Sequence, residues 1–289
     1  MTLGPTLLDP VVSTQWLADY LGADNLVVLD ATVLATIESD GHAGYRSGHE
    51  SYLVNGHVPD AQFADVITAL SDPTGLYPFT HPETDRFASV VGALGIDNDS
   101  TVVVYDSVVG QWASRVWWLF RAAGYDRVAV LDGGLVKWLE EDRPLEFGHV
   151  VSHPKSFTAS DRPHVWADTA YVEAVVRGEE NAALVYATPL PHSGDNTVAG
   201  RRSGQIPGSL TVPSTSLIDG TTHTQFHNAQ LKKTFAPVLT KPRIVVYCEG
   251  GITATAAALT LTILGHTQVS VYDGSLWEWA ADANRQLVS

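Results

Sequence analysis

Arg243-Ile-Val-Val-Tyr-Cys248-Glu-Gly-Gly-Ile-Thr-Ala254 is the stretch that decides the fold. An apolar, β-branched run ends at the only cysteine of the chain, and two glycines follow within three residues. The run predicts a buried strand, the glycines a sharp turn, and the residues from Thr253 onward a helix. A thiol between strand and helix lies where open α/β sheets place their chemistry. A lone cysteine is commonly a small buried hydrophobe. Here the glycines favour a site, because they let successive N–H groups aim at one point.

The stretch has a counterpart upstream. Thr101-Val-Val-Val-Tyr-Asp106 leads through Gly110 into a helical segment containing Arg115-Val-Trp-Trp-Leu-Phe-Arg-Ala-Ala-Gly124, then Val128-Ala-Val-Leu-Asp-Gly-Gly134 and Trp138. After Cys248 come Gly250-Gly251, a helical segment to Gly265, Val269-Ser-Val-Tyr-Asp-Gly274 and Trp279. Gly56-His-Val-Pro-Asp-Ala61 mirrors Gly204-Gln-Ile-Pro-Gly-Ser209, and Val28-Leu-Asp-Ala-Thr32 mirrors Leu184-Val-Tyr-Ala-Thr188. Short β-rich runs alternate with helix-length segments in each half, which predicts α/β architecture with mainly parallel sheets flanked by helices. The period is too long for a solenoid and reads as a duplicated domain. We expect domains at 1–145 and 164–289, joined by an aperiodic linker at 146–163. The repeat sets Asp106 opposite Cys248, so only the second half can do thiol chemistry.

Composition narrows the function classes. At 289 residues the chain has room for about two domains. A formal charge of −15, from 17 Lys+Arg against 32 Asp+Glu, argues against nucleic acid and anionic membranes as partners. A single cysteine excludes an intramolecular disulfide and fits a reducing compartment. No basic segment followed by an apolar stretch opens the chain, and no apolar run reaches bilayer length, so the expectation is a cytoplasmic protein.

These residues resemble the rhodanese superfamily in its tandem two-domain form, the thiosulfate and 3-mercaptopyruvate sulfurtransferases. In the first half the resemblance rests on Leu29-Asp-Ala, Gly56-His-Val-Pro, Tyr105-Asp with Gly110 and Ala113-Ser-Arg-Val-Trp-Trp-Leu, and Leu131-Asp-Gly-Gly134 with Trp138. In the second it rests on Gly204-Gln-Ile-Pro-Gly208, Tyr247-Cys-Glu-Gly-Gly-Ile-Thr-Ala254, and Tyr272-Asp-Gly-Ser with Trp277 and Trp279. It implies two rhodanese-like α/β domains, an inactive first and a catalytic second, and a cysteine that cycles through a persulfide. A small anionic donor would load the sulfur, and cyanide or a thiol would remove it, with a thioredoxin-like reductant as a further partner and no cofactor.

The loop suits that chemistry. The attacking species is a thiolate, and a free cysteine has a pKa of about 8.5. N–H groups from Glu249, Gly250, Gly251, Ile252 and Thr253, with the start of the following helix, would favour a thiolate and a persulfide. The Thr253 hydroxyl is expected to cap the helix or donate to the sulfur. Glu249 opposes this, since a carboxylate beside the nucleophile disfavours the thiolate and repels an anionic donor unless it points outward. Thiosulfate-specific relatives carry basic residues at these loop positions; their absence here favours 3-mercaptopyruvate, with thiosulfate as the alternative donor. Arginine pairs with carboxylates bidentately. By the family's motif spacing Arg201 falls on one donor-binding arginine, with Arg202 beside it, and His192 falls on or near the other. Asp65 matches an acidic residue of the mercaptopyruvate enzymes. Tyr186-Ala-Thr188 replaces their Asp-Ala-Arg, and Gly250 replaces their relay serine.

Other readings stay open. A persulfide carrier without turnover would keep Cys248 and lose the donor site. The phosphatase and arsenate reductase relatives of this fold need an arginine at the end of a longer loop, where this chain has Ala254. Of the histidines, His223 and His227 have a helical i, i+4 spacing, a weak hint of a metal site. The tryptophans read as core.

Overall fold

A computed structural model describes residues 5–37, 43–188, 197–198, 201–202 and 204–288. The chain divides into two compact units. The first holds residues 1–74, 81–162 and 219–225, and the second residues 75–80, 163–218 and 226–289.

In the first unit the strands are β1 (Val11–Val12), β2 (Leu26–Asp30), β3 (Val33–Ile37), β4 (Ala43–Ser47), β5 (Gln62–Phe63), β6 (Thr101–Tyr105) and β7 (Val128–Leu131). The helices are α1 (Thr14–Tyr20), α2 (His49–Asn55), α3 (Thr84–Ala93), α4 (Gln111–Ala122) and α5 (Gly134–Glu140). The second unit has β8 (Trp166–Ala167), β9 (Ala182–Tyr186), β10 (Thr197–Val198), β11 (Arg201–Arg202), β12 (Leu210–Thr211), β13 (Arg243–Tyr247) and β14 (Val269–Tyr272). Its helices are α6 (Thr169–Val176), α7 (Asn228–Phe235), α8 (Thr253–Ile263) and α9 (Ser275–Trp279).

The five-stranded sheets run β1-β7-β6-β2-β5 and β8-β14-β13-β9-β12, every pairing parallel. Strand for strand the orders coincide, which bears out the duplicated α/β domain expected from the repeat. The central strands β6 and β13 are Val/Ile-rich because helices cover both faces of a parallel sheet, leaving no solvent side to pattern. In the second unit the chain leaves β9 toward β12 on one side and returns to β13 on the other. The sheet therefore switches direction between β9 and β13, the kind of position at which open α/β sheets bind ligands at the strands' C-terminal ends.

The two cores match residue by residue. Trp138 donates its indole N–H to Pro144 O at 2.8 Å, and Trp279 does so to Gln286 O at 2.9 Å. The Tyr105 hydroxyl accepts Val58 N–H at 3.1 Å, and the Tyr247 hydroxyl accepts Ile206 N–H at 2.9 Å. These bonds satisfy polar groups that would otherwise be orphaned in the interior.

Three features depart from the sequence-based expectations. The hairpin β3–β4 was missed although Asp40-Gly41 lies between its antiparallel strands, because Ala43-Gly-Tyr-Arg-Ser47 carries little of the apolar, β-branched pattern of a strand. The aperiodic segment after Arg143 is fastened along the first unit by main-chain bonds, among them Lys155 N–H to Gly92 O at 2.9 Å and Ser160 N–H to Ala123 O at 2.8 Å. His223 and His227 share no helix: His223 sits in a turn at φ 57°, and His227 is the N-cap of α7. Among the described residues no helix is long and apolar enough to cross a membrane.

Four tyrosines line the sheet centres, and burial pushes the phenols of Tyr105, Tyr186, Tyr247 and Tyr272 above the ordinary value of 10.0. Below that value both folded and unfolded chains keep the proton, so these groups add no pH dependence. Above it the unfolded chain ionises first and stability falls as pH rises. Denaturant midpoints measured across the alkaline range should be flat up to about pH 10 and then decline. Phenolate absorbance from these tyrosines should appear with unfolding and not before it.

Candidate active site

Cys248 directly follows β13 at the switch point and is only 2% exposed. Its sulfur accepts the Gly251 N–H at 3.1 Å. Its own N–H donates to Ser275 Oγ at 3.1 Å, and that hydroxyl donates to Tyr272 O at 2.7 Å. The loop carbonyls are held by the first turn of α9, with Leu276 N–H on Cys248 O at 3.1 Å and Trp277 N–H on Glu249 O at 3.0 Å. Both ends of the cysteine's peptide are thus fixed before any ligand arrives.

The first unit indicates what this kind of loop holds. Asp106, the counterpart of Cys248, is 1% exposed. Its Oδ1 accepts Val108 N–H at 2.9 Å and Gly110 N–H at 3.0 Å, and its Oδ2 accepts Trp112 N–H at 2.9 Å and Ala113 N–H at 3.0 Å. A buried carboxylate is tolerable because four N–H groups replace its water. Helices α4 and α8 begin five residues after Asp106 and Cys248 respectively, so the two loops have equal length.

The glycines have separate jobs. A Cβ on Gly250 would lie 2.7 Å from the Trp277 ring, so the indole packs flat on the backbone there. Gly251 has φ +80°, and a Cβ would meet Asp273 O at 2.6 Å. Ser275 sits at φ 50°, in the place of Gly134 at φ 54° in the first unit. A serine held in this region is strained, and such strain persists where surrounding structure enforces it. The signal for Ser275 was present in the sequence as Asp-Gly-Ser against Asp-Gly-Gly, but its bond to Cys248 emerges only in the fold.

Glu249 turns toward β9. Its Oε1 accepts the Tyr186 hydroxyl at 2.6 Å. Tyr186 is fully buried, and burial, with the Glu249 charge behind it, pushes the phenol far up, so it stays a donor. In the first unit the corresponding position is Asp30, a carboxyl raised by burial and bonded to Thr32 N–H at 2.8 Å. The carboxylate absent from position 186 reappears at 249, tied to the hydroxyl that replaced it.

The remaining candidates fall in different places. Ile252, not Thr253, is the N-cap of α8, and no side chain caps that helix, which corrects the expected Thr253 cap. Ile252 is buried, and its carbonyl accepts Thr255 N–H at 3.0 Å. The Arg202 guanidinium donates to Arg285 O at 2.8 Å, Ala280 O at 3.2 Å and Asp282 O, so it serves the C-terminal segment and not the cysteine loop. The Arg201 main chain pairs with Val198 in the β10–β11 hairpin; its side chain, like all of His192, lies outside the described residues. Asp65, in the first unit, caps a turn by accepting Ile67 N–H and Thr68 N–H, each at 3.1 Å, and the Thr68 hydroxyl.

Replacing Gly251 by alanine forces a side chain into the left-handed region and against Asp273 O. We expect Gly251→Ala to lower unfolding free energy by about 1–2 kcal/mol and to slow Cys248 chemistry more than that loss explains. Chemical denaturation and Cys248 alkylation rates, measured on the same preparation, check this.

The geometry agrees with known proteins. The family model for the rhodanese-like domain matches residues 13–141 and 195–282. The 3-mercaptopyruvate sulfurtransferase of Escherichia coli K12 is 33% identical over 94% of this chain and 95% of its own length. The thiosulfate sulfurtransferase of Bos taurus is 32% identical over 93% and 91%. The crystal structure of SseA from Escherichia coli superposes with a TM-score of 0.80 at 31% identity, over 92% of this chain and 98% of that one. Strand order, an end-of-strand cysteine in a main-chain cradle and end-to-end similarity to named sulfurtransferases lead to one conclusion: this chain belongs to the rhodanese family and is a sulfurtransferase.

Proposed function

We propose that Cys248 takes the thiol sulfur of 3-mercaptopyruvate, carries it as the sulfane sulfur of a persulfide, and yields it to cyanide or a thiol. The carrying observation is the Gly251 N–H on the Cys248 sulfur at 3.1 Å, in a loop whose first-unit counterpart surrounds a carboxylate with four N–H groups. Such a cradle favours an anionic sulfur both before and after loading. The thiolate attacks the donor sulfur and forms the S–S bond. The donor C–S bond breaks, and its electron pair leaves on the enolate of pyruvate, which takes up the proton the donor thiol gave. An acceptor nucleophile then attacks the outer sulfur, and the S–S bond breaks to return the Cys248 thiolate. Arg201 and His192 are our candidates for holding the donor carboxylate; Asp65 is a candidate contribution from the first unit.

Glu249 supports the choice of donor. Among the described residues it forms no ion pair, and its bond to Tyr186 keeps a carboxylate on the loop that bears the nucleophile. Thiosulfate brings two negative charges and 3-mercaptopyruvate one. An extra charge a few ångströms away costs on the order of 1–4 kcal/mol in a partly screened site. A fixed acid therefore penalises thiosulfate more.

Steady-state assays with both donors and cyanide test the proposal. Turnover should favour 3-mercaptopyruvate and vanish in Cys248→Ser. A mass gain on Cys248 without turnover would instead mark a persulfide carrier. Glu249→Gln should raise kcat/KM for thiosulfate about tenfold relative to 3-mercaptopyruvate, and added salt should shrink that difference. An unchanged donor ratio in Glu249→Gln would remove this account of selectivity.

A further inference from the structure

Among the described residues, those other than glycine with positive φ are Asp60, Phe79, Asp142, His223 and Ser275. Aspartate and histidine enter this region with little penalty, whereas a bulky aromatic is a genuine outlier there. Phe79 has φ 62°. Residues of this kind persist where their surroundings over-determine them, and they concentrate at functional sites. Ser275 is one such residue and bonds the Cys248 N–H. Phe79 is the other.

Residues 75–80 (Gly-Leu-Tyr-Pro-Phe-Thr) come from the first half of the chain yet belong to the compact unit that carries Cys248. The segment is closed on itself: the Thr80 hydroxyl donates to Tyr77 O at 2.8 Å, and the Thr80 side chain fills the space beside Gly75. Burial raises the Tyr77 phenol, with a further contribution from the charge of Glu278 on α9. Within this turn the Phe79 ring stacks on Trp277, with centroids 6.5 Å apart and planes inclined by 23°. The Trp277 indole in turn occupies the space a side chain on Gly250 would take, at 2.7 Å, and the Trp277 main-chain N–H donates to Glu249 O at 3.0 Å. Phe79, Trp277 and Gly250 form a continuous contact that ends two residues from the nucleophile.

We propose that Phe79 is a positioning residue for the sulfur-accepting loop. Its ring keeps the Trp277 indole pressed on Gly250, and so keeps the Gly251 N–H on the Cys248 sulfur. The left-handed backbone at Phe79 is the strain that this placement requires. The inference rests on Cys248 being the sulfur acceptor, but the alkylation test below stands apart from sulfur transfer.

Phe79→Gly separates strain from function, since glycine adopts φ 62° freely and lacks the ring. Three readouts are needed: melting temperature, the rate of sulfur loading in a single turnover followed by mass spectrometry, and the rate of Cys248 alkylation by iodoacetamide at fixed pH. We expect a melting temperature at or above that of the parent. Sulfur loading should slow about tenfold, in kcat more than in KM, because a misplaced reacting group loses rate steeply. Alkylation should change by at least about threefold, and Phe79→Tyr should restore both rates. If Phe79→Gly does not fold, Phe79→Leu, which removes the ring and keeps the bulk, should show the same slowing. Parent-like loading and alkylation in the ring-deleted variant would overturn the proposal. So would a loss of rate that merely tracks a fall in melting temperature. If the parent protein takes sulfur from neither donor, the functional reading fails, and the alkylation rates alone still decide the role of Phe79.

Discussion

An anion or a sulfur held by main-chain N–H donors at the end of each central strand is the constraint on which the rest of this structure depends. In the first unit the anion is built in: four N–H groups close on the Asp106 carboxylate. In the second a sulfur takes its place and receives the Gly251 N–H. Charge cannot be buried at such a point without donors to replace water, so the loop must turn tightly enough to aim its backbone inward. That demand explains the left-handed Gly110 and Gly251, and the α9 amides that hold the carbonyls of Cys248 and Glu249.

The two halves solve the same packing problem with different polar groups. Each keeps a central tyrosine whose hydroxyl accepts an N–H from the strand-side turn, at Val58 in one and Ile206 in the other. At the neighbouring position one has Asp30 and the other Tyr186. With the acid gone from β9, a carboxylate enters from the loop as Glu249, and the Tyr186 hydroxyl supplies its donor. A substitution that looks like a loss in one motif is balanced across the sheet by a residue that looks anomalous in another. The pair also places a carboxylate on the loop that bears Cys248.

Strain is concentrated around the cysteine. Ser275 and Phe79 both hold backbone conformations disfavoured for their side chains, and both lie against the Cys248 loop, one by hydrogen bond and one through Trp277. Strain of this kind persists only where the surrounding structure enforces it.

Much of this was legible in the sequence. The β-branched runs, glycine turns and repeated tryptophans carry local, periodic information, and they sufficed for the duplicated α/β fold, the place of Cys248 at a strand end and the start of the helix at Thr253. The periodicity of a strand or helix is set by residues two to four apart, so a single sequence records it. The hairpin β3–β4 escaped because Ala43-Gly-Tyr-Arg-Ser47 has little β-branched or apolar pattern to mark it as a strand. What the tertiary structure decided are meetings between distant residues: Tyr186 with Glu249 across 63 positions, and Arg202 with the carbonyl of Asp282 across 80. The direction of Glu249, the commitment of Arg202 to the C-terminal segment and the contact of Phe79 with Trp277 arise only when the sheet brings those segments together. No local pattern encodes them, because each side chain's partner is chosen by the packing of the whole unit.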